Sequence, residues 1–352
     1  MSSSQVPTRR LGNHNDSPEI PILGLGMMGL SAFYGTKRSD EDRLALLDRA
    51  FELGCTHWDS AAMYGDSEDL LGTWFEKTGN RNKVFLATKF GNKALPDGKR
   101  VICNDPEYIR EEVENSLRRL KTDYIDLLYC HRISGDVTVE DIVTTMKELV
   151  DAGKVRYLGF SECGTKTLRA ASKVHPIHAY QIEYSPFSMD IHQTSAEGGQ
   201  SVYETCKELG IAVVAYSPIG RGMLTGQIRS IDDFEAGDFR RTVPRFSPEN
   251  FHKNMELVDA LKKIASRKGC TSGQLTLAWM MKQDSVFPIP GTTKITNLEE
   301  NLGANAVLQT LTEADQGEIT EVIQKAEVHG TRYAAQFMGL LMRDAPSKAE
   351  QK

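Results

Sequence analysis

The chain has 352 residues, 40% hydrophobic and 26% charged, with a formal net charge of −6. The length fits one (β/α)8 barrel with insertions, and the composition is that of an ordinary globular protein. The negative total gives no reason to expect nucleic acid or an anionic membrane as a partner. Six cysteines (Cys55, Cys103, Cys130, Cys163, Cys206 and Cys270) are scattered without a C-x-x-C pair and read as reduced thiols. No run approaches the ~20 apolar residues of a membrane span, and residues 1–17 hold no apolar stretch of signal-peptide length, so a cytoplasmic protein is expected.

Beyond a short N-terminal hairpin, β-branched and aromatic runs recur at 22–25, 56–60, 84–89, 124–130, 156–160, 179–182, 211–216 and 286–289. Segments of helical period separate them: Leu44, Leu47 and Phe51; then Ile109, Val113, Leu117 and Leu120; then Val143, Met146 and Val150. Ser39 ahead of Asp40-Glu41-Asp42 and Asp105 ahead of Pro106 are helix starts, and Gly54, Gly153 and Gly210 stand where helices stop. Right-handed strand–helix–strand units build a parallel sheet. Eight units can close into a barrel, with an open doubly wound sheet as the competing arrangement. After the seventh strand a Pro/Gly/Arg-rich stretch, 220–248, predicts a large loop over the barrel mouth. A helix is expected near 312–327, then a frayed tail. The expected architecture is α/β: one (β/α)8 TIM-barrel domain over 1–352, with its core at about 10–311 and a C-terminal extension from 312, helices included.

A barrel of this kind builds its site at the C-terminal ends of its strands. The second strand ends in Asp59-Ser60 with Tyr64 five residues on, the third in Thr88-Lys89, and the fourth in Cys130-His131. A free Tyr is a poor acid at neutral pH, and a cationic Lys beside it is expected to lower its pKa. A carboxylate holds the ammonium, and a His orients a carbonyl oxygen between them. No His/Cys/carboxylate spacing suggests a metal, so none is expected. Gly24, Gly26 and Gly29 have G-x-G-x-x-G spacing, but the next residues read as a loop rather than a helix, so a Rossmann fingerprint is rejected.

The runs HWDSAAMYG, LATKFG, LLYCHR, LGFSE, QIEYSP, AYSPIGRGMLTG and IPGTTKITNLEEN resemble those of the aldo-keto reductase superfamily, in order, from about residue 10 to 311. The nearest branch is that of plant and fungal reductases of perakine-reductase type. The resemblance implies NADPH-dependent reduction of aldehydes and ketones, with NADPH/NADP+ as cofactor and a small carbonyl compound as substrate. It makes Tyr64 the general acid, Lys89 and Asp59 the pair that tunes it, and His131 the residue that positions the carbonyl. It gives Ser161 and Gln181 to the nicotinamide carboxamide and Tyr216 to the nicotinamide face. It lays Ser217, Pro218, Gly220, Arg221 and Gly222 over the pyrophosphate. Gly291, Thr292, Thr293 and Lys294 would meet the 2′-phosphate ahead of a helix starting near Asn297, Asn297 itself would bond the phosphate or adenine, and Glu300 and Asn301 would hold the adenine. Many NADP-specific relatives carry Arg where Asn297 stands, and many carry Asn where Glu162 stands. Met28 and Tyr34 are expected to line the substrate pocket, with Tyr184, Pro186, Arg332 and Tyr333 as further candidates. Two other readings stay open: a nucleotide-binding, redox-sensing interaction subunit related to potassium-channel β subunits, and a metal-dependent hydrolase on the same fold.

Overall fold

The structure is a computed structural model that describes residues 6–194 and 199–348. Eight strands follow in chain order: β1 (Leu25–Gly26), β2 (His57–Asp59), β3 (Phe85–Phe90), β4 (Ile125–Cys130), β5 (Val155–Ser161), β6 (Ala179–Glu183), β7 (Ala212–Tyr216) and β8 (Val286–Pro288). Each pairs in parallel with the next. The amides of Gly24 and Gly26 donate to the carbonyls of Pro288 (3.0 Å) and Pro290 (3.2 Å), and Gly26 bridges Gly291. These bonds close β1 on β8, so neither edge of the sheet is left unpaired. A Cβ on Gly26 would stand 2.8 Å from the Ile289 carbonyl oxygen, so the closure needs glycine there.

Side chains alternate between the two faces of each strand. Ala87, Leu127, Tyr129, Ala179, Ala212, Val214 and Phe287 fill the inside, with Leu11 and Ile20 as the floor. The two floor residues belong to the antiparallel hairpin Thr8–Arg10/Glu19–Pro21 and its turn. Outward-facing residues such as Trp58, Leu86, Leu128 and Phe160 pack under the ring of helices.

The predicted helix punctuation is present. The Ser39 side chain accepts from the Asp42 amide, and the Asp105 carboxylate from the amides of Glu107 and Tyr108. Gly54, Gly153 and Gly210 take left-handed φ of +76°, +74° and +69°. Residues 217–247 form the expected loop over the mouth, with only short 3-10 turns, before the helix Pro248–Lys268.

Three features depart from expectation. The first strand shortens to Leu25–Gly26. A second hairpin at the mouth, Asn92–Ala94 with Arg100–Ile102, brackets the turn residues Asp97-Gly98. The tail, as far as it is described, is docked rather than frayed. The Val139 amide donates to the Pro346 carbonyl (2.9 Å), and the Asp344 carboxylate accepts from the Thr167 amide and hydroxyl (2.8 Å each). Among the described residues no helix is long and apolar enough to cross a membrane.

Candidate active site

The interior alternation sets the site. Above Leu127 and Ala179 the next inward positions are Tyr129 on β4 and Gln181 on β6, and one step higher comes Glu183. Asp59, level with Ala87, and Lys89, level with Tyr129, point the same way. The Lys89 ammonium donates to Asp59 Oδ1 and to the Ser60 carbonyl, and Gln181 Nε2 donates to Asp59 Oδ2 (2.7 Å). Tyr64 sits on a turn whose amide donates to the Ala61 carbonyl (2.9 Å). That turn brings its ring centroid 5.1 Å from Lys89 Nζ and 5.9 Å from the His131 ring, edge to face at 82°. The four residues expected to act together are brought together.

Their electrostatics differ from expectation in one respect. Lys89 was expected to pull Tyr64 down. Instead burial, then the Asp59 charge, push the Tyr64 phenol above its ordinary value, and Arg132 only partly opposes them. Burial likewise lowers the Lys89 ammonium, against the pull of Asp59. Burial, aided by the Arg132 and Lys89 cations, holds His131 well below the usual imidazole value. At neutral pH the site therefore presents a neutral phenol and a neutral imidazole above the buried Lys89–Asp59 pair.

A cavity of ≈ 980 Å³ opens over these residues. Asp59, Tyr64, His131, Gln181 and Tyr216 form its base. Ser217, Pro218, Arg221 and Gly222 form one wall, and Gly291 to Lys294 with Asn297, Glu300 and Asn301 line its far end. Met28, Tyr34 and Tyr333 also line it. Lys89, Ser161 and Gly220 do not. Lys89 lies beneath, Ser161 Oγ accepts from Arg132 Nη1 (3.2 Å), and a Cβ on Gly220 would meet Phe187 at 2.8 Å. Tyr184 and Pro186 lie outside the cavity. The Tyr184 hydroxyl is turned away, bonded to Gln283 (2.6 Å) and His192 (2.9 Å).

Arg221, expected to face phosphate, lines the cavity wall, and its Nη2 donates to Glu183 Oε2 (2.7 Å). One further expectation needs correction. The helix expected to start near Asn297 runs from Ile295 to Leu302, with Lys294 at its cap and Asn297 inside the first turn. No side chain caps it, so its first amides are left for another acceptor.

Across the mouth from Tyr64 lies a network that includes residues missed in the sequence. Glu162, at φ +52°, accepts both Nη atoms of Arg332 (2.6 and 2.8 Å) and the Tyr216 hydroxyl (2.8 Å). Glu183 pairs with Arg221 and lies 3.8 Å from Arg245, whose Nη1 donates to Ser188. Arg332, a pocket candidate, is thus a buried structural partner rather than a cavity residue. Glu183 was detectable by extending the alternation two residues past Gln181. Arg132, Phe33, Met63 and Leu340, which line the cavity, had no such signal. Among the described residues no three or more His, Cys, Asp or Glu gather as metal ligands would.

Comparison with known proteins fixes the class. Residues 22–324 match the aldo/keto reductase family. The chain belongs to that family, a group of oxidoreductases. It is 48% identical to aldo-keto reductase str7 of Strobilurus tenacellus over 344 residues, 97% of this chain and 98% of that one. It is 46% identical over 345 residues, with the same coverage, to aldo-keto reductase yakc of Schizosaccharomyces pombe, whose name carries NADP(+). Among solved structures, a putative 2,5-diketo-D-gluconic acid reductase B superposes with a TM-score of 0.66 at 26% identity, covering 93% of each chain.

Proposed function

We propose that the chain reduces aldehydes and ketones to alcohols with NADPH, Tyr64 acting as the general acid. The observation that carries this reading is the meeting of Asp59, Tyr64 and His131 at the base of one cavity, with Lys89 directly beneath them. The cavity fits the nucleotide. It ends at the uncapped first turn of Ile295–Leu302, where free amides favour an anion. Lys294 stands at that turn with no carboxylate in salt-bridge reach among the described residues, and the Thr292 hydroxyl is beside it, accepting from the Lys294 amide (3.1 Å). These two residues suit a 2′-phosphate, and the NADP(+) in the name of the yeast relative agrees.

When bound, the nucleotide supplies the hydride. The chain's own part is to bind, orient and protonate. Tyr64, kept protonated by burial, gives its phenolic proton to the carbonyl oxygen as negative charge develops there. Neutral His131 aims that oxygen. The Lys89 ammonium, held by Asp59, stabilises the phenolate left on Tyr64. Gln181 is oriented by Asp59, and the Tyr216 ring offers a flat face on the same base.

Absorbance of the reduced nicotinamide, followed with 4-nitrobenzaldehyde and NADPH or NADH, tests this directly. Oxidation of NADPH by the wild type that disappears in Tyr64→Phe is expected. A folded protein that oxidises neither nucleotide with any of a panel of carbonyls would sink the reading.

A further inference from the structure

The buried and half-buried cations around the mouth can be set against their carboxylates. Lys89 has Asp59, Arg332 has Glu162, Arg221 has Glu183, and Arg240 has Asp238. Arg245 shares Glu183 and bonds Ser188. Arg132 differs. It follows His131 directly at the end of β4, and its Nη1 donates to the His131 carbonyl (2.6 Å) and to Ser161 Oγ (3.2 Å). Among the described residues no carboxylate lies within 4.0 Å of it, and its Nε and Nη2 have no hydrogen-bond partner. Yet the side chain lines the cavity beside Tyr64 and His131.

The carboxylate that acts on it from further off, Glu162, is already bonded by Arg332, so a guanidinium in this concave site is completed only when something anionic contacts it. The nucleotide phosphates are poorly placed to do so. Their expected anchors follow other strands: Ser217 to Gly222 come after β7, three strands from β4, and Thr292 and Lys294 after β8, half-way round the barrel from it. The phenols of Tyr64, Tyr216 and Tyr333 face Arg132, and Met28, Phe33, Met63 and Leu340 supply apolar lining elsewhere in the cavity. Arg132 therefore stands at the reacting end of the cavity, with Tyr64 and His131, and not at its phosphate end.

We infer that the cavity selects carbonyl compounds with an apolar body and a carboxylate close to the reacting carbonyl, and that Arg132 binds this carboxylate. This rests on the proposed carbonyl reduction and adds a substrate class to it. A charge-assisted, two-point contact to a guanidinium discriminates by roughly ten- to a hundredfold against a neutral analogue.

The test uses the full chain, with 2-formylbenzoate and its methyl ester as substrates, in the wild type, Arg132→Lys and Arg132→Met. The readout is the ratio of kcat/KM for acid over ester, whatever happens to absolute rates. The ratio should exceed about ten in the wild type, shrink in Arg132→Lys and fall to about one in Arg132→Met. Binding of benzoate to the nucleotide-free protein, by calorimetry, should be saturable in the wild type and lost in Arg132→Met. NADPH affinity, read from the fluorescence of the bound nucleotide, should change little beside that ratio. A wild-type ratio near one, or a ratio unmoved by Arg132→Met while NADPH affinity collapses, overturns the inference and leaves Arg132 a nucleotide residue. If no carbonyl is reduced at all, carbonyl reduction itself fails. The benzoate arm then decides alone, and equal binding by wild type and Arg132→Met removes the anion site.

Discussion

The two sides of the barrel mouth solve charge burial differently. On the side of β2 to β4, one ammonium, Lys89, meets one carboxylate, Asp59, and both stand on barrel strands. On the side of β5 to β7, Glu162 and Glu183 are neutralised by Arg221, Arg245 and Arg332, none of which is on a strand. Arg332 reaches Glu162 across 170 positions of sequence. The first arrangement is rigid because the sheet imposes it. The second exists only when the loop after β7 and the tail have both docked. The chemistry proposed for Tyr64 sits on the imposed side, and the Tyr216 hydroxyl is bonded on the docked one.

The largest effect expected is on the imposed side. Tyr64→Phe should lower kcat by at least about 10²–10⁴, the worth of a positioned general acid, while NADPH still binds. Normal turnover by this variant would take the proton donor away from that side altogether. Lys89→Met leaves Asp59 buried without its cation. Breaking such a pair costs about 3–5 kcal/mol, read as a lower urea midpoint. Asp59→Asn added to it should recover most of the stability and none of the activity.

Arg332→Met should behave differently, although Glu162 is as deeply buried as Asp59. The tail can undock, so the cost is capped at the free energy of that local opening. The global loss should be smaller, about 1–3 kcal/mol, while residues 329–348 lose hydrogen-exchange protection. An equal global loss in Lys89→Met and Arg332→Met would erase the contrast.

Acid separates the two sides as well. Burial lowers His57, at the base of β2, to about 4 from the ordinary 6.5. Between those values the unfolded chain holds a proton the folded one does not, so stability falls as pH falls through this window, by up to about 1.4 kcal/mol per pH unit. Burial would raise Glu162, but Arg332 holds it below the usual carboxylate range. Its contribution is present above that range and is lost only as pH falls through the lower folded value. Urea midpoints from pH 7 to 4 should therefore decline less steeply in His57→Asn, and not in Glu162→Gln. The smallest effect falls at the phosphate end. Lys294→Ala should weaken NADPH by about tenfold and NADH little, one charge-assisted contact.

The same contrast explains what could be read in advance. Asp59, Tyr64, Lys89 and His131 were legible because adjacent strand ends bring them together, and a period of two fixes which way they face. The barrel followed from eight runs with helical pattern between them. Arg132 was in plain view after His131, but nothing local says that no carboxylate reaches it. The inward turn of Arg221 depends on Glu183, and Arg332 depends on where a tail outside the β/α repeat comes to rest. Such contacts are set by tertiary packing at long sequence separation, and no periodicity encodes them. The Asn297 boundary was missed by two residues because the helix opens at Lys294 without a capping side chain.

The docked tail has a consequence for how the protein is made. β8 is complete at Pro288, while Arg332 lies 44 residues further on. A chain still on the ribosome can close its barrel while Arg332 remains in the exit tunnel. Until that residue is released, Glu162 is held at a left-handed backbone angle without Arg332 to meet it, and Tyr216 has Glu162 but not Tyr333 beside it. The tail thus completes the mouth only after the barrel strands are made, and a nascent chain stalled shortly before residue 332 would be a barrel without the Glu162–Arg332 pair.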